Sequence, residues 1–189
     1  MIRPNGREPC RDLSLGREEP LLATASPTRR WLILEQPGAG GREAARESAL
    51  DPALGDRLAR AMSAIGGRLL LARRPPGPDR NPDPPYRWFA YDAGRPDAGI
   101  RTGDCAAVDL TALPPALAEP VGEPPGTPHG HELVLVCIHG RHDPCCAESG
   151  WAAVRALVEH GAHDLWECSH IGGDRFAGNI LLLPHGMYF

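Results

Sequence analysis

The sequence predicts an α/β fold. Short, branched apolar runs alternate twice with amphipathic helical stretches, a pattern that favours parallel strands joined by helices. Pro- and Gly-rich segments separate the two alternations. The 189 residues, 42% hydrophobic and 23% charged with 22 Gly and 21 Pro, are enough for one medium domain or two small ones rich in loops.

Taken in order, residues 1–30 are polar and irregular, with Cys10 alone among them. Residues 31–35 (WLILE) read as a buried strand closed by Gln36-Pro37-Gly38. Residues 42–65 read as helix, because Leu50, Leu54, Leu58, Met62 and Ile65 recur at i+4 and i+3. Pro52 belongs near a helix start, so the stretch is one helix or two. Gly66 and Gly67 stop it, and residues 68–72 form a second strand. Residues 75–85 (PPGPDRNPDPP) are incompatible with helix or central strand and read as an exposed loop. Residues 86–91 form a short strand, and residues 112–131 read as a second Pro/Gly linker.

Beyond that linker the pattern sharpens. Residues 132–137 form a strand and residues 147–160 a helix with Trp151, Val154, Leu157 and Val158 on one face, ended by Gly161. Residues 164–168 form the next strand, and residues 180–183 and 187–189 flank a hairpin turn at Pro184-His185-Gly186. The expected organisation is an N-terminal β-α-β region over 1–111, a linker over 112–131 and a second domain over 132–189, with no internal sequence repeat.

The formal net charge of −4 is unevenly spread. Residues 1–101 carry 17 Arg against 13 acids, residues 102–189 carry 3 Arg against 11, and all eight His lie in the second part. An acidic surface disfavours nucleic acid and suits a basic protein partner. The chain has no Lys, which excludes Schiff-base chemistry. No run approaches the roughly 18 apolar residues of a membrane span. No apolar stretch follows MIRPNGREPC, so no secretory signal is read and a cytoplasmic protein is expected.

Four of the six Cys fall between Cys137 and Cys168, and without a secretory signal they read as metal ligands or redox thiols. Right-handed β-α-β connection puts the loops after the strands at 132–137 and 164–168 at one end of the sheet, where α/β proteins bind ligands. The first loop, C-I-H-G-R-H-D-P-C-C, runs from Cys137 at a strand end to Cys146 at a helix start, where free N–H groups favour thiolate. The second, C-S-H-I-G-G-D-R-F, offers Cys168, His170 and Asp174, while Gly172 and Gly173 let backbone N–H groups approach a cluster's sulfides. Cys137 alone would read as a small hydrophobe and Trp151 as core. His139 and His142 read as surface loop residues, and His129, His131, His160, His163 and His185 as solvent-exposed. The spacing suits a two-iron unit better than the tight Cys pairs of structural zinc.

Residues 137–146, residues 166–179 (WECSHIGGDRFAGN) and residues 183–188 (LPHGMY) resemble the sucrase/ferredoxin-like family, as does ASPTRRWLILEQPG at 25–38. The resemblance implies a thioredoxin-like ferredoxin domain with a [2Fe–2S] cluster, bound in fungal members by two Cys and by two His as H-x-x-x-H. Carried over, Cys137 and Cys146 match the two Cys and His170 the first His. The second His falls on Asp174, leaving Asp174 or Cys168 as fourth ligand, with Cys145 a bystander. Family members continue past the tyrosine of the hairpin, so the domain reads as incomplete at its C-terminus. No paired carboxylates stand out for glycoside hydrolysis, so no sucrase activity is expected. An electron carrier docking a basic redox protein is the leading expectation. The alternatives are a cluster-free thiol oxidoreductase and a structural zinc or interaction module.

Overall fold

A computed structural model of the chain describes residues 10–20, 24–25, 27–38, 40–77, 80, 85–106 and 109–189. Within these the chain is mixed α/β, as the alternation of strand and helix periods requires. Most of the Pro-rich stretch 75–85, at 78–79 and 81–84, lies outside the described residues.

Helix α1 (Cys10–Gly16) comes first, in a stretch expected to be irregular. Strand β1 (Arg30–Glu35), helix α2 (Pro52–Ala64) and strand β2 (Gly67–Arg73) form a parallel β-α-β unit. Helix α2 is shorter than the 42–65 stretch of helical spacing. Asp51 caps it, accepting from the Leu54 N–H at 2.9 Å, and Pro52 takes the first turn where its missing donor costs nothing. Asp51→Ala is expected to lower stability by about 1 kcal/mol, read from the shift in a denaturant midpoint at constant slope.

Strands β3 (Tyr86–Asp92) and β4 (Arg101–Cys105) follow as antiparallel neighbours. The stretch 112–131, expected as a linker, instead carries helix α3 (Leu113–Ala118) and strand β5 (Thr127–Pro128). Leu113 and Leu117 are buried in the cluster that also holds Leu58 and Met62 of α2. Apolar burial, about 25 cal/mol per Å², outweighs the local Pro signal there, and Pro is tolerated in a first helical turn. The second β-α-β unit is β6 (Leu133–Cys137), α4 (Pro144–Glu159) and β7 (Leu165–Cys168), followed by β8 (Ile180–Leu183) and β9 (Met187–Tyr188).

The nine strands of the described residues join one sheet in the order β5-β4-β3-β1-β2-β7-β6-β8-β9. The sequence shows no repeat, yet the topology has one. β1-α2-β2-β3-β4 and β6-α4-β7-β8-β9 share the same order, the first strand lying between its parallel partner and an antiparallel neighbour. The halves meet where β2 and β7 pair antiparallel through Ala72↔Cys168 and Arg73↔Glu167. Helices α2, α3 and α4 cover one face of the sheet over Leu32, Leu34, Leu71, Val136 and Leu165. The other face carries one core through both halves, from Trp31 and Phe89 to Leu135, Trp166 and Leu181. Among the described residues no helix is long and apolar enough to cross a membrane.

Candidate metal centre

Parallel pairing of β6 with β7 sets Cys137 opposite Cys168 and turns both following loops to one end of the sheet. The first loop ends at Asp143, which caps α4 by accepting from the Cys145 N–H at 2.7 Å. That cap starts the helix at Pro144 and brings Cys146 back towards the end of β6. Gly150 lies one turn further along the same helix face. A Cβ there would overlap the carbonyl oxygen of Cys137, and a Cβ at Gly178 would sit 2.6 Å from the Gly150 nitrogen. Helix, strand end and second loop therefore approach through two glycines. Sequence reading passed over both, although an isolated Gly inside a helical pattern signals close packing.

Three side chains converge here. Cys137 Sγ lies 3.9 Å and Cys146 Sγ 3.7 Å from His170 Nδ1, and all three ligand atoms lie within 4.8 Å of one another. Both sulfurs are buried and His170 is half-buried. Ligands bonded to one tetrahedral ion at about 2.3 Å (sulfur) and about 2.0–2.1 Å (nitrogen) lie roughly 3.5 Å apart. The spacing is close to that value, so the donor set fits a thiophilic metal. The Cys137 thiol is pulled down to about 4, chiefly by its hydrogen bond with Cys146, then by His170 and the backbone N–H groups of His139 and Ile171. Burial opposes this and is outweighed. Thiolate is the form that binds metal.

Cys168 is not part of the convergent group. Burial, then the negative charge of Cys137, pushes its thiol well above the usual range. The Asp174 side chain lies outside the described residues, although its backbone opens a 3₁₀ turn, Asp174–Phe176. Gly172 and Gly173 both have positive φ, 94° and 76°, and their carbonyls accept from Asn179 Nδ2 at 3.0 and 2.8 Å. Loop N–H groups of Ile171 and His139 reach the Cys137 sulfur. Arg68 of β2 holds the Ile171 carbonyl from the first half of the chain.

His139, expected at the surface, is buried. Its Nδ1 accepts from the His170 N–H at 3.1 Å, so Nε2 carries the hydrogen and donates to the Gly41 carbonyl at 2.7 Å. His142 is exposed and stacks on the His170 ring, centroids 4.1 Å apart. His129 also departs from the expectation of exposure. It is half-buried 3.1 Å from Asp164, and burial lowers its pKa more than that carboxylate raises it. Trp151, expected in the core, is half-buried. The Asn179 carbonyl accepts from the Cys137 N–H at 2.9 Å, tying the second loop to β6.

Residues 42–188 match the family model described as sucrase/ferredoxin-like. No curated protein and no solved structure matches the chain. The matched span runs from the approach to α2 through both convergent loops to β9, well over half of the sequence. By that span, and by the Cys and His motifs it contains, the chain belongs to the sucrase/ferredoxin-like family.

Proposed function

We propose that the chain is a one-electron carrier in which Cys137, Cys146 and His170 help to hold a [2Fe–2S] cluster on a thioredoxin-like ferredoxin half. The observation that carries this reading is the convergence of two sulfurs and one imidazole nitrogen within 4.8 Å from two strand-end loops. The order β6-α4-β7-β8-β9 supports the thioredoxin-like assignment. When bound, such a cluster supplies reversible one-electron chemistry. The chain supplies the rest. Cys137 is ready as thiolate, and N–H groups of His139 and Ile171 stabilise negative charge on its sulfur. Imidazole in place of thiolate reduces ligand charge and raises the potential. The fourth ligand is Asp174 or Cys168, and the acidic second half docks a basic redox protein.

Protein purified without oxygen should be red-brown, contain iron and acid-labile sulfide, and give an EPR signal when reduced. Cys137→Ala should remove the colour, and His170→Ala should remove it or shift the spectrum. Colourless protein with one zinc per chain would overturn this reading and establish the second one, a structural zinc site. The S···N distances of 3.7 and 3.9 Å, close to those around a single tetrahedral ion, favour that alternative. A thiol oxidoreductase is disfavoured because both Cys137 and Cys146 are fully buried, and thiol exchange needs access.

A further inference from the structure

The loop that carries His170 is held from two sides. Gly172 and Gly173 are tied within the second half, through Asn179. Residues 169–171, which bracket the imidazole donor, are each tied to the first half. The Ser169 N–H donates to the Leu71 carbonyl at 2.8 Å, and Ser169 Oγ accepts from the Leu71 N–H at 3.1 Å. The His170 N–H donates to His139, whose opposite ring nitrogen donates to the Gly41 carbonyl. Arg68 donates to the Ile171 carbonyl across 103 residues.

Both anchors in the first half are themselves fixed. Arg68 stands on β2, an inner strand of the sheet. The Gly41 turn is braced by Glu47: the Gly41 N–H donates to the Glu47 carbonyl at 2.7 Å and the Glu43 N–H to its carboxylate at 2.8 Å. The residues so gripped are those that make the centre. His170 supplies the nitrogen, and the N–H groups of His139 and Ile171 reach the Cys137 sulfur. Groups that orient a metal's ligands from behind set its affinity nearly as strongly as the ligands do. A loop anchored only within its own half would keep the Asn179 contacts and lose all of these.

From this we infer that the first half is the positioning platform of the metal centre. Arg68, and the Gly41 turn acting through His139, hold the His170 loop against Cys137 and Cys146. Arg68 and His139 are positioning residues, and the metal affinity of donors in the second half depends on contacts made by the first. The inference rests on metal binding at these three donors and holds for iron or zinc alike.

The test titrates metal-free full chain with zinc(II) against a competing chelator, and with cobalt(II) followed by its visible absorption. Arg68→Met keeps the aliphatic stem and removes the donor to Ile171. His139→Asn keeps an acceptor at the same distance along the side chain for the His170 N–H but is too short to reach Gly41. Each should weaken zinc about tenfold and shift or weaken the cobalt bands. Asp51→Ala, which loses only the cap of α2 in the first half, is the control for lowered stability alone and should leave affinity and bands as in the parent chain. Parent-like affinity and bands in either folded variant would overturn the proposal. So would an equal loss in Asp51→Ala, or a parent chain that binds neither ion. Iron and sulfide in the parent chain are measured separately, so a chain that binds zinc but never holds a cluster sinks the electron-carrier reading and leaves this one standing.

Discussion

Gly150→Ala is expected to destabilise the chain by about 2 kcal/mol and to strip it of metal. In an exposed helix interior the same exchange would stabilise by up to about 1 kcal/mol, because Ala is the better helix former. Here the added methyl has nowhere to go. It overlaps the Cys137 carbonyl, and Ile138 Cγ2 lies 3.1 Å away. Backbone cannot yield as a flexible side chain does, so α4 must lift from the end of β6, at the 1–3 kcal/mol typical of overpacking. Cys146 lies on the same helix face one turn earlier, and its sulfur moves with the helix away from Cys137 and His170. Ala152→Gly, exposed in the same helix, is the control: it should cost about 1 kcal/mol by propensity alone and leave metal content unchanged. Denaturant midpoints and metal per chain read both variants. A more stable Gly150→Ala protein with full metal would mean that helix and strand do not approach so closely.

Arg73→Met is expected to destabilise by about 3–5 kcal/mol at neutral pH. Arg73 and Glu167 are cross-strand neighbours in the short β2–β7 ladder that joins the halves, with the Glu167 side chain 0% and the Arg73 side chain 16% exposed. Burial already holds the Glu167 carboxyl above its ordinary range, and Arg73, then Arg80, only partly offset this. Methionine replaces the aliphatic stem but not the charge, and the carboxylate is left buried without its hydrogen-bonded partner. The sign of the pH dependence follows. A carboxyl whose folded pKa lies above its unfolded value takes up a proton more readily in the folded state, so acid relieves the penalty of burying the ion. The deficit of Arg73→Met should therefore be full at neutral and alkaline pH and shrink as pH falls through the raised pKa. Adding Glu167→Leu should recover much of the loss, because an apolar pair can replace a buried ion pair at little cost. Thermal melts across pH read all three chains, and a deficit that stays constant into acid would rule out the buried charge as its cause.

How much could be read in advance differed from element to element. Strands β1, β2, β6 and β7 and helix α4 were legible because their apolar periods are local and uninterrupted. The stretch before α2 was read as helix by its spacing, but Ala44, Glu47 and Ala45 pack against Gly40, Gly41 and Gly55, and it folds as turns. Helix α3 was hidden because what stabilises it is contact with α2, about fifty residues away, while its own sequence is rich in Pro. The topological repeat was half hidden for a related reason: the strand–helix–strand alternation occurs twice in the sequence, but which strands then pair is set by contacts between distant segments.

At the centre, local periodicity and spacing place Cys137 and Cys168 at strand ends, Cys146 at a helix start and His170 and Asp174 in the second loop, while the family resemblance singles out Cys137, Cys146 and His170 among them. Tertiary structure alone decided which donors meet. Cys168 stands opposite Cys137 in the ladder and stays out of the group, while His139 turns inward to bond a carbonyl 98 residues away. It also formed a cavity over the β2–β7 pairing, whose walls come from both halves. The physical reason is range: hydrophobic period and capping act over a few residues along the chain, whereas hydrogen-bond partners and burial are set by segments that only folding brings together.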